Sequence, residues 1–351
     1  MKILLVGGGT MGSVSPLIAV MQQIKIEKPA AEFLFLGTKD GPEKAAVESY
    51  RLPFKPISGG KLRRYWSGQN FLDFFKIIAG FFQSLAIVFK FKPAAVLIAG
   101  SFVGVPAAWA AWLLRVPVVI HQQDVRAGLA NKLMANCARK ITLSFEFSLK
   151  DFSDKKTILT GNAVRGEFYD CEPARSKGIF NLKKDLPLVL ILGGGTGAQI
   201  INQIAEKSLA DLAQFCQIIH ITGRGKTNSI KVNNYHQFDF LTNEMTEALC
   251  AADLVVSRAG MSTLSELIIL GKPTILVPLT GHQEFNAQYF QKNNAAVVLS
   301  EAALNPEMLI STIKELLFDK AKRENLSRQM AQMMKLDGAK EVARVLLGEV
   351  K

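Results

Sequence analysis

Residues 1–20, MKILLVGGGTMGSVSPLIAV, decide how this chain is read. Ile3 to Val6 form a short apolar strand candidate, and Gly7, Gly9 and Gly12 fit G-x-G-x-x-G. An apolar run then opens a helix. The pattern recurs at residues 188–203, LVLILGGGTGAQIINQ, where Gly193, Gly195 and Ala198 fit G-x-G-x-x-A. Glycines between a strand and a helix let the backbone approach a ligand and leave helix N-terminal N–H groups free for phosphate. Each loop alone also fits a tight turn that holds no ligand.

Between and beyond the two loops, short apolar strands alternate with helix-length segments. KILLVGG, EFLFLG, AAVLIAG and VPVVIHQ are strand candidates in the first half. LVLILGGG, CQIIHITG, DLVVSRAG and KPTILVPL are candidates in the second. This alternation predicts an α/β fold of parallel sheets with helices on both faces. The 351 residues suffice for two such domains. A boundary near GNAVR divides them into 1–162 and 163–351, with the last helix a candidate to pack back on the first domain. Two facing domains of this kind place ligands in the cleft between them, beyond the carboxyl ends of their strands.

Several function classes recede on the same residues. A dinucleotide site wants an acid at the end of the second strand. Here that strand ends FLGTKD, with Gly37 and Thr38 at the expected position, which disfavours hydride transfer. HITGRGKT ends like a phosphate-binding P-loop, but His220 stands where its first glycine belongs. The four cysteines lie far apart without a C-x-x-C pair, which indicates neither a zinc site nor a disulfide framework and fits a reducing cytosol. Residues 93–114 carry no charge, yet Gly100, Gly104 and Pro106 interrupt them, so strand, loop and helix in a soluble core is preferred to a membrane span. The net charge of +12 suits an anionic membrane surface or phosphorylated substrates. No nucleic-acid motif accompanies it, so nucleic acid is not expected as a partner.

Eight segments, in order, carry a resemblance: GGGTMGSVSP, GSFVGVPAAWAAW, HQQDVRAGLANK, GNAVR, GGGTGAQIIN, SRAGMSTLSE, GKPTILVPL and HQEFNAQ. Together they resemble the MurG family of peptidoglycan glycosyltransferases, across nearly the whole chain. The resemblance implies the GT-B fold, two Rossmann-like parallel-sheet domains facing a cleft. It implies an inverting transfer of N-acetylglucosamine from UDP-N-acetylglucosamine to undecaprenyl-diphosphate N-acetylmuramoyl-pentapeptide, at the cytoplasmic face of the membrane. Neither a metal nor another cofactor is implied; the first domain would serve the acceptor and the membrane, the second the donor.

The same resemblance supplies the site residues. It assigns the donor to Thr10, Met11 and Gly12 in the first loop, to Asp124, and to Arg165, Gly195 and Thr242, with Arg165 and Thr242 on the uridine side. It adds Met261, Ser262, Thr263, Leu264, Ser265 and Glu266 in SRAGMSTLSE, where Met261 to Thr263 face the diphosphate and Glu266 the ribose. Gln283 and Asn286 fall near the donor sugar. The T-x-x-E spacing of Thr263 and Glu266 also fits a capping box. Arg165 also reads as an ordinary guanidinium at a domain junction, and Gln283 and Asn286 as helix caps. The family has a serine where Gly195 stands. It has a histidine, a candidate base, where Ser13 stands, and HEQN where His121 to Asp124 read HQQD. A serine hydroxyl alone is a poor proton acceptor near neutral pH. Ser13, His121 and Asp124 are therefore the catalytic candidates, Asp124 foremost.

Residues 61–92 raise the membrane question. Lys61, Arg63 and Arg64 precede a helical stretch in which Phe71, Phe74, Phe75, Ile78, Phe81 and Phe82 cover more than one stripe. A core helix with a wide apolar face and a patch that docks on anionic lipid both fit. Three other functions remain compatible with the fold: a transferase for another lipid or glycan acceptor, a UDP-N-acetylglucosamine 2-epimerase, and a non-catalytic sugar-nucleotide binder.

Overall fold

A computed structural model describes residues 1–60, 69–194, 197–242 and 244–350. The chain divides into two compact units. The first comprises residues 1–165 and 334–351, the second residues 166–333. The split falls after Arg165, and the C-terminal helix Gly338–Gly348 belongs to the first unit. There its Val342, Ala343 and Leu346 share one core with Leu17 and Met21 of helix Ser15–Glu27.

The first unit is built on seven parallel strands: β1 (Lys2–Val6), β2 (Glu32–Gly37), β3 (Phe54–Pro56), β4 (Ala95–Ile98), β5 (Val118–Gln122), β6 (Lys140–Leu143) and β7 (Thr157–Leu159). Their order is β3-β2-β1-β4-β5-β6-β7. Ile3, Leu4, Leu5 and Val6 are all fully buried, as expected of a central strand covered by helices on both faces. Leu5 joins one core and Leu4 the other. The second unit holds six parallel strands: β8 (Leu188–Leu192), β9 (Gln217–Ile221), β10 (Tyr235–Phe238), β11 (Leu254–Ser257), β12 (Thr274–Leu276) and β13 (Val297–Val298). Their order is β10-β9-β8-β11-β12-β13.

The two orders share one topological consequence. In the first unit the chain runs outward from β1 to β3 and returns to lay β4 against β1. In the second it runs outward from β8 to β10 and returns to lay β11 against β8. Each reversal opens a crevice at the carboxyl ends of the two central strands, the place where open α/β sheets take ligands. Both glycine loops follow those central strands.

The uncharged stretch 93–114 is strand, loop and helix, with β4 followed by helix Gly104–Leu113. One expectation fails. A disulfide joins Cys171 to Cys250, which lie 79 residues apart in sequence. The packing of helix Pro173–Ile179 against helix Glu244–Ala251 brings the two cysteines together, and no local spacing rule detects a pair made that way.

Candidate active site

In the first unit the glycine loop leaves β1 and enters helix Ser15–Glu27 through a short turn at Met11–Ser13. Gly9 has φ +81°, and a Cβ there would lie 2.9 Å from the Phe102 ring, so only glycine fits. Thr10 is exposed and Met11 and Gly12 half-buried at the tip, open to a ligand. Ser13 points inward instead. Its Oγ accepts from Gly8 N at 2.9 Å and faces the carbonyls of Gly8 and Thr10 at 3.3 and 3.2 Å. The Ser101 hydroxyl, in the loop after β4, donates to Gly8 O at 2.7 Å. Ser13 thus braces the loop from within, and its proton serves the backbone.

His121 lies on β5 with 1% of its surface exposed. Its Nε2 lies 2.6 Å from Asn162 Oδ1, which also accepts from Ala163 N, so Nε2 carries the proton. Its Nδ1 then accepts from Thr142 Oγ1 at 2.9 Å. Burial drives its pKa down to about 4, against a smaller upward pull from Asn162. Both ring nitrogens are engaged by Thr142 and Asn162, so this geometry gives His121 a structural place. Asp124 is half-buried in the loop beyond β5. Gln122, where the family has a carboxylate, donates to Asp124 O at 2.7 Å and to Arg126 O at 3.1 Å. A carboxylate could make neither bond, so the change to HQQD substitutes a neutral clamp on the loop that carries Asp124.

GNAVR is largely structural. Gly161 has φ +81°, and the Lys335 carbonyl occupies the space of its absent Cβ. Asn162 holds His121. Arg165, the last residue of this unit before the split, donates from Nη1 to Tyr50 Oη at 3.1 Å.

Sequence reasoning missed Glu43. Helix Glu43–Ser49 presents this fully buried carboxylate at the end of β2, where it accepts from Thr38 N at 2.6 Å and from the Thr38 hydroxyl. The end of the second strand therefore does hold an acid, delivered by the next helix. Its Oε1 is engaged by Thr38, and its Oε2 is buried without a hydrogen-bond partner. The only sequence signal is a glutamate five residues after the strand-end threonine.

In the second unit, Gly195 lies outside the described residues. Gly194 and Gly197 flank it with φ +83° and +72° at the mouth of helix Gln199–Leu212. Across the β8–β11 crevice, Leu192 pairs with Ser257, so this loop neighbours the turn Arg258–Gly260 and the helix Met261–Leu270 that follows. The N-cap of that helix is Gly260, with no side-chain cap. Thr263 is inside the first turn, and the capping-box alternative for Thr263 and Glu266 fails on that geometry. Met261, Ser262 and Thr263 are the first three helical residues, whose N–H groups lack helical acceptors. Ser262 and Thr263 are half-buried and available at the helix mouth. Leu264 is fully buried, and Ser265 is buried with its hydroxyl on Met261 O at 2.8 Å. These two pack the helix instead of meeting a donor through their side chains. Glu266 is buried one turn in, with 7% of its surface exposed.

Arg258 was also missed. It is buried, donates to Val277 O at 2.9 Å and pairs with Glu301 at 2.5 Å, fixing the turn that aims the helix. Asn286 donates to Ala259 O at 3.1 Å and so pins the same turn from helix His282–Lys292. Gln283 accepts from Leu279 N at 3.1 Å, while the cap on the Gly281 N–H comes from Glu284 at 2.9 Å. Neither Gln283 nor Asn286 is the helix cap. Thr242 is exposed just before helix Glu244–Ala251. The P-loop-like GRGKT is filled by its own anion, because Gly225 N and Thr227 N both donate to Asp239. Among the described residues no cluster of three His, Cys, Asp or Glu could hold a metal ion.

Two family models match in tandem: the glycosyltransferase family 28 N-terminal domain over residues 3–143 and its C-terminal domain over residues 188–342. The chain belongs to glycosyltransferase family 28. Curated relatives in this family include a protein of Clostridium kluyveri, 36% identical over 94% of both chains. Another, of Clostridium botulinum, is 36% identical over 100% of this chain and 98% of its own. Both are named UDP-N-acetylglucosamine–N-acetylmuramyl-(pentapeptide) pyrophosphoryl-undecaprenol N-acetylglucosamine transferase. Among solved structures, MurG of Acinetobacter baumannii superposes with TM-score 0.72 at 21% identity over 99% of each chain. A UDP-GlcNAc 2-epimerase of Neisseria meningitidis superposes with TM-score 0.71 at 13% identity over 99% of each chain. The fold alone does not choose between transferase and epimerase, and family membership does.

Proposed function

We propose that this glycosyltransferase moves N-acetylglucosamine from UDP-N-acetylglucosamine to undecaprenyl-diphosphate N-acetylmuramoyl-pentapeptide, completing the lipid-linked disaccharide of peptidoglycan. The observation that carries the reading is the 36% identity, over nearly full length, to relatives named for that reaction. The chemistry follows from the residues. An acceptor hydroxyl oxygen attacks C1 of the donor sugar from the face opposite the diphosphate, the C1–O bond breaks, and UDP departs with the bonding electrons. Charge develops on the diphosphate, and the N–H groups and hydroxyls of Met261 to Thr263, at the positive end of a ten-residue helix, oppose it. The attacking hydroxyl loses its proton as the bond forms. Asp124 takes it in this proposal, since Ser13 and His121 are both committed to backbone and sheet. Glu266 serves the ribose, Thr242 and Arg165 the uridine, and Thr10 to Gly12 the loop that faces the sugar.

Membrane docking belongs to the same proposal. Helix Gln69–Phe91 buries Asp73, Ile77, Gly80, Ser84 and Val88 and leaves Phe71, Phe74, Phe75, Ile78, Phe82 and Phe89 exposed. At about 100° per residue these six positions share one face of the helix, so they form one stripe. Phe81 is half-buried at its margin. By length and composition Asp73–Phe91 could cross a bilayer, yet one of its faces packs on helix Gly104–Leu113. A helix with one face on protein and one face of rings suits a peripheral position in the lipid interface. The basic residues Lys61, Arg63 and Arg64 lie outside the described residues.

The decisive experiment is incubation with UDP-N-acetylglucosamine and the lipid-linked muramoyl peptide, with products resolved by mass. A disaccharide-peptide lipid supports the proposal. Formation of UDP-N-acetylmannosamine without transfer would establish an epimerase instead.

A further inference from the structure

At the amino-terminal edge of the first sheet, opposite the end that carries the glycine loop, lies a cavity of about 520 Å³. Ligand pockets of small molecules commonly fall in this size range, about 300–1,000 Å³. Its rim draws on Lys2 at the start of β1, Lys25 in the last turn of helix Ser15–Glu27, Arg51, Lys55 on β3 and Lys90 near the end of helix Gln69–Phe91. Glu32 is the one carboxylate, and it faces Lys2 at 3.9 Å. Among the described residues, Lys25, Arg51, Lys55 and Lys90 have no acidic partner. The floor is apolar, made by Phe33, Leu34, Leu52, Ile87 and Phe91. Lys2 stands 5.5 Å from the centre of the Phe91 ring and Lys25 5.9 Å from that of Phe33. Such contacts orient an ammonium group and leave its charge unneutralised.

Cations at helix ends have an ordinary explanation, because the carboxyl end of a helix carries partial negative charge. The magnitude does not cover the count. At about half a charge per end, the carboxyl ends of helices Ser15–Glu27, Glu43–Ser49 and Gln69–Phe91 offset about one and a half of four unpaired cations. Arg51 adds a second cost. It sits at φ +56°, in the left-handed region where glycine is favoured, and still places a guanidinium at this rim. We propose that this cavity is a second ligand site, for a phosphate-bearing molecule whose anionic head meets the five cations and whose apolar part lies on the phenylalanine floor. The two sources of that chemistry are a free phosphorylated metabolite and the headgroup of an anionic lipid.

The test uses the full-length protein with saturating UDP present, so that a donor site is closed and its failure to bind UDP is seen separately. Inorganic pyrophosphate and monomeric dihexanoyl phosphatidylglycerol are titrated calorimetrically. One equivalent of either is expected to bind, more weakly as salt rises. Binding of pyrophosphate identifies a free phosphate as sufficient; binding of the lipid alone identifies the headgroup with its chains. Lys25→Gln with Lys55→Gln and Lys90→Gln should weaken that binding at least about tenfold, or 1.4 kcal/mol. Arg51→Gly should weaken it severalfold while leaving the melting temperature equal or higher, which a purely structural arginine would not do. Binding of neither probe, or undiminished binding in the triple variant, overturns the proposal.

Discussion

Lowering the pH from 7.5 to 5.5 should weaken the first unit by about 1 kcal/mol through His121 alone. The sign follows from the shift. The folded pKa is about 4 and the ordinary value 6.5, so between these limits the unfolded chain binds a proton that the folded chain refuses. The stability that the neutral, buried ring contributes is complete above pH 6.5 and is lost as pH falls toward 4, about 3 kcal/mol in all. At pH 5.5 the unfolded imidazole is protonated about tenfold over neutral while the folded ring is not, which gives about 1 kcal/mol. That figure holds for any folded pKa well below 5.5. The measurement is unusually clean. His121 is the only histidine before residue 166, and all three tryptophans, at positions 66, 109 and 112, also precede residue 166. Urea unfolding followed by tryptophan fluorescence therefore reads this unit and this imidazole. His121→Gln, which keeps a donor for Asn162 and an acceptor for Thr142, should remove the pH dependence while sustaining turnover. An unchanged pH dependence in the variant would falsify the buried-neutral reading. A hundredfold loss of turnover in a folded variant would return His121 to the role of base.

Four further outcomes are expected. Glu266→Ala should weaken UDP binding at least about tenfold in calorimetric titration with little change in melting temperature, because Thr263 does not cap the helix and Glu266 is not its capping partner. Equal UDP affinity would remove Glu266 from the donor site. Asp124→Asn should lower turnover at least about tenfold, or 1.4 kcal/mol of barrier, with donor affinity unchanged; wild-type turnover would point to a mechanism without a protein base. Phe75→Asp with Phe82→Asp should abolish sedimentation with anionic vesicles and leave the fold intact, since the two residues are 53% and 62% exposed and bury about 1–2 kcal/mol each in lipid. Retained sedimentation would place the lipid contact elsewhere. Transfer activity should survive excess chelator, with loss and rescue by magnesium or manganese as the contrary result.

The sequence by itself determined the parallel α/β class, eight of the strands, the two glycine loops and the interruption of the uncharged stretch 93–114. Each of these is written locally: apolar runs bounded by glycine and proline, where backbone and hydration preferences act over a few neighbouring residues. Strands β3, β6, β7, β10 and β13 were not legible, because they lie at or beside the edges of their sheets, where partial exposure leaves them without a long apolar run. The family and its donor motifs were legible for a different reason, the ordered recurrence of eight segments. Tertiary structure alone decided what each motif residue does. Ser13 and Thr263 look alike in sequence, yet one hydroxyl turns into the loop and the other sits in the first turn at an open helix mouth. Gln122, Asn162 and Arg258 became supports only when sheet order brought Asn131, His121 and Glu301 beside them. Cys171 met Cys250, Glu43 reached the end of β2, and cations from five separate segments converged on one cavity for the same reason. Side-chain partnership depends on distance in space, and the reversal of strand order that sets those distances is a property of the whole sheet.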